Sequence, residues 1–121
     1  VFIQDATVTF TNTEIHNNQA YELSADGGGV AIWGRQSGVT FINTQIHDNQ
    51  ATFLGGGFYV DYSGQAAFFN TSFYGNQASV GQDGYVQDGA SVCADGATKV
   101  TGIVGIVTTC TNMTAQMQAA R

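Results

Sequence analysis

Two histidines, His16 and His47, occupy the same position in two copies of one sequence pattern, and Tyr74 occupies it in a third. Imidazoles repeated at strand spacing beside the carboxylate of Asp48 form a donor set suited to a transition metal. The competing reading is a solvated outward column that repeat duplication copied. That reading is adopted: no resident metal is expected, and His16, His47 and Asp48 are the candidate ligands. Nine acidic residues are spread along the chain with no adjacent pair. Cleaving a glycosidic bond takes two carboxyls about 5–9.5 Å apart. Asp61, Asp83 and Asp88 are the nearest approach to a grouping, and no catalytic residue is assigned. A structural calcium would use Asp83, Asp88 or Asp95 in the Gly-Asp turns, where ordinary turn chemistry is the simpler account. No cofactor is expected.

Other side chains offer binding or covalent chemistry. Trp33, Tyr59 and Tyr62 face outward by strand parity and form a candidate aromatic patch for a sugar ring or a protein partner. Cys93 and Cys110 close a loop whose disulfide would suit an oxidising compartment, either extracellular, at the cell surface or in an organelle lumen. Asn70-Thr-Ser72 and Asn112-Met-Thr114 fit the glycosylation pattern. Asn70 is expected in a ladder, which leaves Asn112 as the acceptor.

Composition removes whole classes of function. Only Arg35, Lys99 and Arg121 are basic, and the net charge is −6. A nucleic-acid binder needs clustered Lys and Arg against phosphates, and none can cluster here. The longest apolar stretch, 100–107, is far short of the ~20 residues that span a bilayer. Polarity comes from 14 Thr, 11 Gln and 8 Asn, with 16 Gly and no Pro. Such a chain favours strands and turns with uninterrupted ladders.

The elements that position these residues follow from a repeat. Three gapless segments align at 10–20, 41–51 and 68–78, sharing F-x-N-T-x-[IF]-x-x-N-Q-A at spacings of 31 and 27 residues. Each is followed by a glycine cluster and then an apolar strand, as in Gly27-Gly28-Gly29-Val30 and Gly55-Gly56-Gly57-Phe58. Period-two alternation, as in Val39, Phe41 and Asn43, is that of strands. A unit of about 27 residues with two or three short strands matches one coil of a parallel β-helix.

Stacked coils turn equivalent positions into columns. Phe10, Phe41 and Phe68, with Ile15, Ile46 and Phe73, are expected to form the core. Asn12, Asn43 and Asn70, and likewise Asn18, Asn49 and Asn76, are expected to form amide ladders.

The run F-x-N-T-x-I-x-x-N-Q-A followed by G-G-G-V resembles the repeats of chlamydial polymorphic outer membrane proteins and the wider pectate-lyase-like β-helix superfamily. Ile15-His-Asn-Asn18 and Phe73-Tyr-Gly-Asn76 fit the F-x-x-N element of those repeats. Gly28-Gly29-Val30 fits the G-G-A-[IVLY] element. The resemblance covers about residues 1–90. It implies a right-handed parallel β-helix used in adhesion, in passenger domains or in polysaccharide-active enzymes. Lyases of that fold pair a calcium cluster with a basic residue, for which Arg35 is the mid-body candidate.

The expectation is an all-β, short right-handed parallel β-helix of three to four coils over 1–92, with a C-terminal cap or docking segment over 93–121. Thr111–Arg121 has the pattern of a short helix with Met113 and Met117 on one side. The expected function is a non-catalytic structural or interaction module, used for adhesion or as a subunit packed into a larger assembly. Protein subunits are the expected partners, covering an open first coil near Val1-Phe2-Ile3. The alternative is a carbohydrate-binding or carbohydrate-cleaving domain.

Overall fold

The computed structural model describes residues 1–22 and 25–110. The helix expected over 111–121 and the acceptor Asn112 lie outside the described residues. The first coil comprises β1 (Phe2–Gln4), β2 (Thr7–Thr11), β3 (Glu14–His16) and β4 (Gln19–Ala20). The second repeats it as β5 (Val30–Trp33), β6 (Gly38–Ile42), β7 (Gln45–His47) and β8 (Gln50–Ala51). The third contains β9 (Phe58–Asp61), β10 (Gln65–Phe69) and β11 (Ser72–Tyr74). Two further levels carry β12 (Gly84–Val86) with β13 (Ser91–Ala94), and β14 (Ile103–Val104) with β15 (Thr108–Thr109).

Every strand pairing is parallel and joins one level to the next. One wall runs β1-β5-β9-β12-β14, a second β2-β6-β10-β13-β15, and a third β3-β7-β11. The walls continue past residue 92, which falls inside β13, so the solenoid has no break where the cap was expected to begin.

The core lies between the walls. Phe10 pairs with Phe41 and Phe41 with Phe68, with ring centroids 5.2 and 4.8 Å apart in near-parallel stacks. Ala94 continues that column. Ile15, Ile46 and Phe73 form the matching column of the third wall. Each fully buried large apolar side chain contributes roughly 1.5–3 kcal/mol. The glycine clusters admit no side chain. A Cβ on Gly28 would stand 2.5 Å from the carbonyl oxygens of Gln50 and Gly56. Gly27, Gly55 and Gly81 each turn at φ +70°, where other residues are strained.

The two asparagine columns differ in kind. Asn49 and Asn76 are buried and join Asn18 in a continuous ladder. Asn12, Asn43 and Asn70 instead sit exposed at turns with φ near +50°. Only one hydrogen bond links them, from Asn70 Nδ2 to Asn43 Oδ1 at 2.8 Å. The expected second ladder is therefore absent. Asn is used there because it tolerates the left-handed conformation. The neighbouring threonines do the buried bonding. Thr44 and Thr71 are each 1% exposed, and each donates its hydroxyl to a carbonyl two residues back.

Candidate functional site

Three surface regions carry chemistry. The first is the outward column on the third wall. The rings of His16 and His47 lie parallel with centroids 4.9 Å apart, and Tyr74 stacks on His47 at 4.5 Å. Strand pairing dictates this, since His16, His47 and Tyr74 are register partners. His47 Nδ1 lies 2.7 Å from Asp48 Oδ2. Asp48 holds φ +54°, which turns its carboxylate back onto the ring. Glu14, two residues before His16 on the same face, places Oε1 3.6 Å from His47 Nε2 and Oε2 4.0 Å from His16 Nε2. Glu14 escaped sequence reasoning because it has no copy at the equivalent positions, Gln45 and Ser72.

The second region is aromatic. Trp33 and Tyr62 are in contact, with centroids 4.8 Å apart, and Phe2 packs edge-on against Trp33 at 5.8 Å. Trp33 and Tyr62, with Gln4 and Gly34, line a cleft of about 210 Å³. Trp33 Nε1 is buried without a hydrogen-bond partner. Tyr59 does not join this patch. It has the expected parity but is only 4% exposed. Its hydroxyl donates to Asp61 Oδ2 at 2.6 Å, and its ring stacks towards Tyr85. Burial, then the bond to Asp61, holds its phenol well above the usual tyrosine range. Asp61 also accepts from the backbone N–H of Tyr62 at 2.7 Å. Nearby, Asp26 is raised from the ordinary carboxyl value, first by burial. The Leu54 N–H that it accepts opposes the shift, and the charge of Asp61 adds to it.

The third region is a groove of about 470 Å³ along the outer face of the second wall. Thr7, Thr40, Gln65, Ser91 and Thr108 line it with Ile106, and no lining residue is charged. Beside it an apolar cluster of Ile42, Ala67, Phe69 and Cys110 is buried, with Cys93 packed against it. The Cys93–Cys110 disulfide ties the end of β15 to β13 there.

Within the acidic grouping, Asp61 and Asp83 stand apart. Asp83 precedes Gly84, which pairs with Phe58, so Asp83 aligns with Gly57, four residues from Asp61. At about 3.3 Å per strand residue that is roughly 13 Å, beyond the reach of two-carboxyl catalysis. Asp83 instead accepts from Asn76 Nδ2 at 3.2 Å. Asp95 caps a turn, accepting from the backbone of Asn70 and Thr98 and from the Thr98 hydroxyl. Asp88 stands exposed in the turn before β13. Arg35 is exposed in the turn between β5 and β6, with no ion pair among the described residues.

Parallel walls, stacked side-chain columns and an inner asparagine ladder define a β-solenoid. The chain belongs to the right-handed beta helix region family, whose model matches residues 1–114. No curated protein and no solved structure matches it.

Proposed function

We propose that this chain is a non-catalytic structural and interaction module, a β-helix whose surface serves adhesion or packs as a subunit into a larger protein assembly. One observation carries the reading. The core column surfaces at the first coil: Phe41 and Phe68 are fully buried, whereas their partner Phe10 is only partly so. The strands of that coil are edge strands, whose free donors and acceptors template a further strand. The proposed occupant of this edge is a strand of a protein subunit. Solenoid coils gain much of their stability from such neighbours.

Two further features support the reading. Asp48, Asp61, Asp83 and Asp95 are each engaged by a hydrogen-bonding neighbour. The Cys93–Cys110 bond suits an extracellular, cell-surface or lumenal setting. The likeness to chlamydial outer membrane protein repeats favours an adhesive surface.

Hydrogen exchange on the isolated chain tests the open edge. Amides of residues 1–10 should exchange faster than those of 39–46. Equal protection would mean that the first coil is self-sufficient, and the assembly argument would fail.

The uncharged groove favours a second reading, a carbohydrate-binding domain of the pectate-lyase-like kind. Its hydroxyls and amides suit a neutral saccharide lying along the walls. An oligosaccharide panel with added calcium separates the two readings. Binding abolished by Gln65→Ala supports the second, and turnover would make the chain an enzyme.

A further inference from the structure

We propose that Glu14, His16 and His47 form a divalent transition-metal site on the third wall, with zinc the best-fitting ion, and that Asp48 orients His47 for it. The argument starts from one proton. The Asp48 carboxylate can only accept, so the 2.7 Å contact places the His47 proton on Nδ1. Nε2 then presents a lone pair. That atom is buried and has no hydrogen-bond partner. What faces it, at 3.6 Å, is Glu14 Oε1, another lone-pair donor. Two such donors held face to face repel unless a cation or a proton lies between them.

The spacing fits a metal. Zinc binds imidazole nitrogen and carboxylate oxygen at about 2.0–2.1 Å, so two donors of a tetrahedral ion stand about 3.4 Å apart. The Glu14–His47 pair is already within a few tenths of an ångström of that. The third ligand has further to go: the His16 ring lies parallel to His47 within 4°, so it must tilt out of that stack to turn Nε2 onto the ion. His16 Nε2 is 4.0 Å from the other Glu14 oxygen, and no three such side chains among the described residues already stand in coordinating arrangement. His16 has the freedom to close in, its side chain being 42% exposed against 12% for His47. Its Nδ1 contacts the Asn17 amide at 2.8 Å, and that amide serves either tautomer by flipping. Asp48, His47 and the ion then form the carboxylate–histidine–metal relay that fixes ring orientation and raises ligand basicity. Water takes the fourth position on the exposed side. Tyr74 makes no bond to the ion; it covers the far face of His47 and donates its hydroxyl to Gln45 at 2.7 Å.

The test is calorimetric titration of the chain, free of any histidine tag, with zinc chloride at neutral pH, alongside nitrogen NMR of the imidazoles. One zinc per chain should bind, and the His47 Nε2 resonance should move on binding. Glu14→Gln and His47→Phe, the latter keeping an aromatic ring under Tyr74, should each abolish binding without lowering the melting temperature of the zinc-free protein. Asp48→Asn should weaken it by about 10–100-fold, as loss of an orienting partner does. Failure to bind zinc at millimolar concentration would overturn the proposal and leave a proton between Glu14 and His47. Binding that survives both Glu14→Gln and His47→Phe would overturn it equally, by placing the ion elsewhere.

Discussion

Asn49 donates both its backbone N–H and its side-chain Nδ2 to a single atom, Oδ1 of Asn76, at 3.1 and 3.2 Å. Asn18 does the same to Asn49. Asn49 Nδ2 also donates to the Ile15 carbonyl at 3.0 Å, so one amide ties three coils together. Asn49→Ala leaves the backbone N–H and Nδ2 of Asn18 without their acceptor, and it removes the side-chain donor to Ile15 O and to Asn76 Oδ1. Orphaned buried groups cost roughly 1–3 kcal/mol each, so a loss of about 3 kcal/mol or more is expected by denaturant unfolding. Asn43, exposed at φ +49°, should behave differently. Asn43→Gly should be nearly neutral, while Asn43→Ala should cost about 1–2 kcal/mol through the left-handed backbone. Equal losses for Asn49→Ala and Asn43→Ala would mean that the two columns are equivalent after all.

That contrast marks where the sequence was legible. The repeat told which residues stack, because Phe10, Phe41 and Phe68 recur in one pattern. It did not tell which way a column points at a turn, where period-two alternation breaks, so both asparagine columns read alike. Parity put Tyr59 on the outer face correctly, yet what buries a residue there is a neighbour such as Tyr85, brought close only by stacking. Thr44 and Thr71 share one position of the repeat with Thr13, but recurrence marks a column without saying that it is buried, and Thr is common at exposed positions of this chain too. Glu14 was hidden by distance along the chain. Its partner His47 lies 33 residues away, and the pair meets diagonally across two coils.

The disulfide should matter most for the last levels. Cys93 and Cys110 are separated by 17 residues, and closing such a loop stabilises by about 3 kcal/mol. Cys93→Ala with Cys110→Ala should therefore lower the unfolding free energy by that order. Exchange should quicken first in β14 and β15, before the second and third coils. Uniform quickening through β6 and β10 would mean that the bond supports the whole solenoid.

Asp26 gives a pH dependence with a definite sign. Burial favours its protonated form in the folded state, so its folded value lies above the ordinary carboxyl value. Its favourable contribution is fully present below the unfolded value of about 3.9 and is lost as pH rises through the folded value. Asp26→Asn keeps an oxygen for the Leu54 N–H and removes the buried charge. The variant should be more stable than the parent at pH 7, and the gap should close at pH 3. A variant less stable at pH 7 would show that the charge-assisted bond to Leu54 outweighs burial.

The first coil offers the most discriminating test, because its hydrogen-bond parity is known. Gly38 donates to Ala6 O and Asn12 to Ile42 O, so the even-numbered groups of β2 face β6. Parallel pairing alternates, and the N–H and C=O of Thr9 therefore point to the free edge. Its register partner Thr40 has its N–H turned towards Val8 O, inside the ladder. Proline at the two positions should then have opposite consequences. Thr40→Pro removes a ladder bond between β6, an inner strand of the wall, and β2, and should cost about 3 kcal/mol or more. Thr9→Pro removes only an edge donor and should leave the isolated chain within about 1 kcal/mol of the parent. It would also block a neighbouring coil from pairing there, the device by which natural sheets protect their edges. Equilibrium unfolding of the two variants decides the matter: if Thr9→Pro unfolds as readily as Thr40→Pro, the β2 edge is already engaged, and the first coil is not the open end of this solenoid.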